Sequence, residues 1–134
     1  MRKELDEKLC ADYPEIFRDR HAPMSETCMC WGFDCGDGWY HLIDTLCGCL
    51  QGYYDSNAKR QKKQGTELYQ PVATQVKEKF GTLRFYYDGG NDMTEGMVWF
   101  AEAMSAVTCE LCGQPGTLRE GGWWRTLCDP CNDN

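Results

Sequence analysis

Two Cys-x2-Cys pairs near the C-terminal end constrain the fold of this 134-residue chain more than any other feature of its sequence. Cys109 and Cys112 form the first pair, Cys128 and Cys131 form the second, and fifteen residues separate the two pairs. This spacing is typical of a structural zinc site, in which four thiolates surround one ion. Because four thiolates leave no open coordination position, such a site holds a fold together and does not activate water.

The residues between the two pairs favour the same interpretation. Gly113 directly follows the first pair and suits the left-handed backbone conformation that this kind of turn needs. Residues 116–119 and 123–127 are predicted to form two short strands joined by residues 120–122. We therefore expect a zinc-ribbon or treble-clef-like module with Zn²⁺ as a structural cofactor. A dithiol redox pair and a thiolate-bound iron centre are the alternatives.

Six further cysteines are spread over the first half of the chain: Cys10, Cys28, Cys30, Cys35, Cys47 and Cys49. A second metal site could draw on Cys28, Cys30 and Cys35, with His41 or Cys47 as the fourth ligand. The spacing of these residues is irregular, however. Cys47 also belongs to an apolar helix face, where a buried thiol behaves as a small hydrophobic side chain.

The net charge of −7 and the pI near 4.8 argue against a protein that coats phosphate backbones, so nucleic acid is an unexpected partner. The basic segment 59–63 is interpreted as a solvated helix end, with a docking patch for an acidic partner as the alternative. The longest apolar run, 97–101, is far below the roughly 20 residues that span a bilayer. The charged segment 1–8 does not resemble a secretion signal, so we expect a cytoplasmic protein.

Hydrophobic periodicity predicts three helices. The first contains Leu5, Leu9 and Tyr13, and the second spans about 38–60 with Asp37 as its N-cap. The third helix is expected over 92–107, with Asp92 and Glu95 in a capping box. Its predicted buried stripe is rich in methionine and consists of Met93, Met97, Phe100, Ala101, Met104 and Val107.

Alternating apolar residues predict two strands, 71–80 and 82–87, joined at Gly81 as a β-hairpin. Residues 15–34 are expected to form a packed loop. The predicted fold class is α+β, with a small antiparallel sheet centred on this hairpin and packed against two main helices. One domain is expected overall, with an α+β core over 1–107 and an integrated zinc module over 108–134.

The sequence favours binding over catalysis. His21 and His41 show no recognisable spacing to a nucleophile, and no glycine-rich phosphate loop is present. Trp31, Trp123 and Trp124 are candidate anchors for a protein partner, because tryptophan is enriched at binding hot spots, and core packing is the alternative role for each.

A small-ligand or nucleotide binder, or an enzyme, is the competing hypothesis. It would use a pocket built from Asp37, Trp39, Glu78 and Arg84. An ion pair between Glu78 and Arg84 across the hairpin would instead give these two a structural role. The turn at 36–39 could likewise contact a ligand or simply lead into the second helix.

Three stretches resemble a family of small cysteine-rich proteins encoded by phages and prophages: 35–40, 75–86, and 108–113 together with 126–129. The resemblance covers most of the chain from Glu26 onward. It implies a location in the bacterial cytoplasm and a role as an accessory protein. Small phage proteins of this kind often bind and redirect host proteins, including defence systems.

Overall fold

The computed structural model describes residues 1–134 and has α+β architecture, as predicted. Four helices, a three-stranded mixed sheet and a two-stranded antiparallel sheet make up the fold. In chain order the elements are α1 (Lys3–Asp12), β1 (Phe33–Asp34), α2 (Tyr40–Lys63), β2 (Tyr69–Lys79), β3 (Thr82–Gly90), α3 (Asp92–Ser105), β4 (Thr117–Arg119), β5 (Arg125–Leu127) and α4 (Asp129–Asn132). Two short 3-10 turns lie at Cys28–Trp31 and Asp37–Trp39.

The larger sheet has the strand order β1-β2-β3 and is centred on the predicted hairpin. β2 and β3 are antiparallel, with Val76 opposite Phe85. β1 pairs parallel with β2, with Phe33 opposite Val76, so the prediction of a purely antiparallel sheet was wrong at this strand. A strand of only two residues is too short to show the alternation by which strands are predicted.

The β2–β3 turn consists of Phe80 and Gly81, whose φ angles are +52° and +84°. Positive φ at both central residues is the geometry of a type I′ turn, which matches the twist of the two strands. Asn-Gly is the preferred pair at such a turn. Phe80 is the one residue other than glycine with a positive φ in the chain.

Side chains of α3 cover the outer edge of β3. The Leu83 backbone N–H donates to Ser105 Oγ at 2.8 Å, and the Phe85 N–H donates to Glu102 Oε2 at 2.8 Å. An uncovered strand edge would leave these donors without partners and open to pairing with another chain. The helix therefore completes the sheet through hydrogen bonds as well as through packing.

The predicted buried stripe of α3 was right for Ala101 and the half-buried Met97, and wrong for its other four members. The buried residues are Thr94, Val98, Ala101 and Ser105, whereas Met93, Phe100, Met104 and Val107 are exposed. The buried face thus carries Ser105, whose hydroxyl accepts from the Leu83 N–H of β3. The capping box is also one residue earlier than predicted, and is formed by Asn91 and Thr94.

α2 begins at Tyr40, so the prediction of Asp37 as its N-cap was wrong. Asp37 opens the preceding 3-10 turn, and its Oδ1 accepts from the Arg2 backbone N–H at 2.8 Å. The buried face of α2 lies at the centre of the core and consists of Tyr40, Ile43, Leu46, Cys47 and Leu50. No helix in the structure combines the length and apolar character that crossing a membrane requires.

Candidate metal centre

The four C-terminal cysteines converge in space. The Sγ atoms of Cys109, Cys112, Cys128 and Cys131 all lie within 4.8 Å of one another, and those of Cys112 and Cys128 are 3.5 Å apart. All four are free thiols. A tetrahedral site with Zn–S bonds of about 2.3 Å separates its sulfurs by about 3.8 Å. The cluster therefore has the spacing and donor set to hold one metal ion.

A tight turn orients the side chains of the first pair of cysteines. Gly113 has φ +82°, as its position in the sequence predicted, and its N–H donates to the Cys109 carbonyl at 2.9 Å. The Cys109 N–H donates to the Gln114 carbonyl at 2.7 Å, which closes the loop around the first two thiols. We call residues 109–113 the first knuckle.

The second pair lies at the start of a helical turn. Cys128 is the N-cap of α4 and Cys131 lies within it, with a proline in the first turn of the helix. The Arg119 guanidinium on β4 donates to the Leu127 carbonyl at 3.0 Å and to Asp129 Oδ1 at 2.6 Å. The β4–β5 hairpin therefore positions the second pair of thiols as well as joining it to the first.

Cys109 and Cys131 differ in how readily their thiols ionise. Burial acts to raise the pKa of Cys109, but backbone N–H groups of Cys128, Cys112 and Leu111 outweigh it and lower that pKa to about 6. Hydrogen bonds with the neighbouring thiols of Cys128 and Cys112 raise the pKa of Cys131 to about 12. Cys109 therefore ionises more readily than Cys131 in the absence of a cation. A bound metal ion would displace the remaining protons.

The first knuckle rests on the turn at 36–39, which we call the knuckle seat. The Gly38 N–H donates to the Glu110 carbonyl at 2.7 Å, and the Gly36 N–H donates to Glu110 Oε2 at 2.9 Å. A Cβ at Gly38 would lie 2.2 Å from the Cys109 carbonyl oxygen. Trp39 Nε1 donates to the Thr108 carbonyl at 2.9 Å. The glycines of this turn are therefore explained by its close contact with the knuckle.

A second contact joins the module to the β2–β3 turn. Thr126 is fully buried and its Oγ1 donates to the Gly81 carbonyl at 2.7 Å. A Cβ at Gly81 would lie 2.5 Å from Leu118 Cδ1 on β4. This contact places the β4–β5 hairpin beside Phe80.

An open concavity of about 680 Å³ lies where the two hairpins meet. Its lining residues are Glu78, Phe80, Gly122, Trp123 and Trp124, and we call it the aromatic concavity. Phe80 is 65% exposed, Trp123 is 77% exposed and Trp124 is 41% exposed. None of these three rings is packed in the core, so the core-packing alternative does not hold for Trp123 or Trp124.

The aromatic concavity contains one residue that the sequence did not indicate as a candidate. The sequence predicts Phe80 only as the last residue of the strand 71–80. Its signal was an aromatic side chain next to Gly81 in a two-residue hairpin turn, where Asn is preferred. Trp31, the remaining candidate anchor, is 68% exposed but lies in the 3-10 turn 28–31, outside this concavity.

The four residues of the predicted nucleotide pocket are not brought together. Trp39 is fully buried, and Asp37 faces Arg2. Glu78 is paired with Leu83 on the hairpin and Arg84 with Lys77, so Glu78 and Arg84 point to opposite faces of the sheet and make no ion pair. Arg84 lies in a separate concavity beside α3.

The residues of the possible second metal site also remain apart, because the one group of converging metal-ligand side chains is the C-terminal cluster. Cys28 and His41 are exposed, and Cys30 Sγ donates to the Thr27 carbonyl at 3.3 Å. Cys35 is buried, and burial raises its pKa to about 12. Burial likewise raises the pKa of Cys47, which packs as a small core residue.

No protein-family model matches the chain, and neither a curated protein nor a solved structure matches it. The resemblance to phage and prophage proteins therefore stays an expectation drawn from the motifs.

Proposed function

We propose that this chain is a non-catalytic protein-binding module whose binding surface is held in place by a structural zinc ion. The observation that carries the proposal is the aromatic concavity, where three exposed rings from two hairpins line one surface. Exposed aromatic side chains cost solvation free energy when they are left in water, and they are enriched at binding hot spots.

Zinc is the ion that the donor set favours. Four thiolates select Zn²⁺ or iron among the common metals, and a d¹⁰ ion accepts the tetrahedral arrangement without a redox role. Cys109, Cys112, Cys128 and Cys131 would hold it. The ion would close the loop 113–127, which carries Trp123 and Trp124 at its tip. A knuckle, a hairpin and a helix that supplies the last ligand support a treble-clef-like module.

The composition of the concavity supports a non-catalytic role. Its lining residues include one titratable side chain, Glu78, and no histidine, cysteine, serine or lysine. Nucleophilic catalysis needs a nucleophile beside a base, and a lone carboxylate supplies only one partner of that pair. The four-thiolate site would be closed once a metal is bound, so it offers no metal-activated water.

The partner that we propose is a protein of a bacterial cell, and the chain would act as a phage or prophage accessory protein in the host cytoplasm. A defence protein is one such partner. This part of the proposal rests on the motif resemblance at 35–40, 75–86 and 108–113. The net charge of −7 favours a protein partner over nucleic acid, whose phosphates would be repelled.

A comparison of two exposed tryptophans tests the proposal. Trp123 and Trp99 are 77% and 75% exposed, but only Trp123 lines the aromatic concavity. A partner is first captured from bacterial lysate with the tagged zinc-loaded protein, then purified and titrated by calorimetry. We expect Trp123→Ala to weaken binding at least about tenfold, as hot-spot tryptophans do, and Trp99→Ala to leave the affinity unchanged.

The proposal fails if no purified protein binds the wild-type chain, or if the two alanine variants bind equally well. Circular dichroism and a urea titration of both variants provide the control for folding. Because both side chains are mostly in solvent, neither variant is expected to change the free energy of unfolding by more than about 0.5 kcal/mol.

A further inference from the structure

We propose that the aromatic concavity binds an alkylammonium group, supplied by a lysine side chain of the partner. This inference rests on the proposed function, since it names the chemistry that the same surface recognises. Three aromatic rings and one carboxylate line the concavity, and no cationic side chain is among its lining residues. The face of an aromatic ring attracts a cation through its quadrupole, and several rings around one cation form an aromatic cage.

The three rings of the concavity do not stack on one another. None of the aromatic ring pairs in the structure joins Phe80, Trp123 and Trp124 to one another; the pairs are Phe17–Phe33, Phe17–Phe85, Tyr40–His41 and Phe85–Tyr87. These three rings therefore surround a space and do not stack to fill it.

Glu78 supplies negative charge at a fixed position. Its Oε2 accepts from the Gly81 N–H at 2.7 Å, and this bond holds the half-buried carboxylate against the turn. Glu78 also lines an adjoining concavity of about 390 Å³, together with Glu110, Trp123 and Arg125. Arg125 makes no direct ion pair with either carboxylate. An incoming ammonium therefore meets a carboxylate that is held in place and makes no ion pair within the chain.

The structure already places one ammonium beside one of these rings. Lys79 Nζ lies 5.7 Å from the centroid of the Phe80 ring, within the range of about 6 Å over which a cation and a ring attract each other. Lys79 is not among the residues that line the concavity, so it does not fill the site. The Phe80 ring thus already attracts an ammonium from outside the concavity, which shows the interaction that we propose for the ligand.

The backbone at Phe80 gives an independent indication that this side chain serves binding. Its φ of +52° is disfavoured for a bulky residue, and the type I′ turn would be better formed by Asn. Most of the ring is in solvent, so core packing does not account for it. Strain at a residue that lines a concavity points to a requirement for that side chain in the site.

The test is an NMR titration that reads the five indole N–H resonances of the zinc-loaded protein. The probes are three blocked tripeptides, acetyl-Gly-X-Gly-amide, in which X is lysine, trimethyllysine or norleucine, at constant ionic strength. We expect saturable shifts at Trp123 and Trp124 with the two cationic peptides, with Kd on the order of millimolar. Norleucine has the same chain without the charge and should bind at least about fivefold more weakly. A larger shift with trimethyllysine would identify a methylated lysine as the preferred source.

Two variants identify the groups responsible. Glu78→Gln keeps the acceptor for the Gly81 N–H and removes the charge, so we expect lysine affinity to fall about threefold. Trp123→Leu should abolish the shift at Trp124, whereas Trp99→Leu should leave the titration unchanged. The resonance of the buried Trp39, which bonds to Thr108, reports whether each variant keeps the fold.

The inference is overturned if norleucine binds as tightly as lysine, or if the shifts spread equally over Trp31, Trp39 and Trp99. It is also overturned if dilution of the protein alone moves the Trp123 resonance, because lysines of a second copy, such as those in 59–63, would then fill the concavity. A purified partner that needs Trp123, combined with no response to the cationic peptides, would leave the proposed function standing and remove only the lysine assignment. A response to the cationic peptides without any purified protein partner would leave a cation site and remove the proposed protein-binding function.

Discussion

Of the two glycines in the knuckle seat, Gly38 lies closer to the first knuckle. Its N–H bonds to the Glu110 carbonyl, and a Cβ there would lie 2.2 Å from the Cys109 carbonyl oxygen and 2.6 Å from the Glu110 carbonyl oxygen. Both obstructing atoms are backbone, so no side-chain rotation can make room. One methyl group at this position would therefore separate the first knuckle from its seat.

We expect Gly38→Ala to lower the free energy of unfolding by about 1–3 kcal/mol, the usual cost of overpacking a close contact. The matched control is Gly52→Ala, because Gly52 lies in α2 with no atom within 4 Å of an added Cβ. That substitution should raise the free energy of unfolding by about 0.5–1 kcal/mol, as alanine does in an exposed helix. Urea unfolding of the two zinc-loaded variants measures both changes, and equal stabilities would show that the seat has room for a side chain.

At the scale of elements, the β2–β3 turn has a residue that its backbone conformation disfavours but that the proposed site needs. The fold favours Asn-Gly in a type I′ turn, whereas the aromatic concavity uses the ring of Phe80. We expect Phe80→Asn to raise the free energy of unfolding by up to about 1 kcal/mol, because the left-handed conformation costs Asn less than Phe. The same variant should lose the response of Trp123 to the lysine peptide.

Urea unfolding and the indole NMR titration measure these two effects on one sample. If Phe80→Asn lowers the free energy of unfolding, the ring has a packing role that its 65% exposure does not suggest. Phe80→Leu provides the control, since it keeps the unfavourable turn residue but removes the π face. That variant should show no gain in stability together with the loss of lysine binding.

Elements with local signals could be predicted from the sequence, and those defined by tertiary contacts could not. The hairpin, α2 and the cysteine pairs follow from alternation, periodicity and spacing within short segments. The buried face of α3 does not follow from such a signal. Hydrophobicity favours Met93, Phe100 and Met104, whereas the N–H groups at the outer edge of β3 bond to Ser105 and Glu102. A periodic pattern reports where apolar residues lie, but not which neighbouring element needs hydrogen bonds.

At the scale of the whole molecule, the parts of the candidate site that depend on contacts between distant segments could likewise not be predicted from the sequence. The cysteine cluster was predictable because its four thiols come from two local turns. The knuckle seat was not, because residues 36–39 meet Thr108, Cys109 and Glu110 about seventy positions later in the chain. The aromatic concavity likewise joins two hairpins that are separate in sequence, so only the fold brings Phe80 to Trp123 and Trp124.

These contacts join the cysteine cluster to parts of the fold outside its own loop. The knuckle packs on the seat, Thr126 bonds to the β2–β3 turn, and the loop between the two cysteine pairs carries the tryptophans. In a chain of this size, a metal ion can supply stability that a small core does not. We therefore infer that zinc sets the geometry of the binding surface.

Zinc K-edge X-ray absorption on the protein after gel filtration, with metal content measured on the same sample, tests this account most directly. The account predicts one zinc per chain, bound by four sulfur atoms at about 2.3 Å. Less than one equivalent of zinc, nitrogen or oxygen atoms in place of sulfur in the first shell, or a different metal would contradict it.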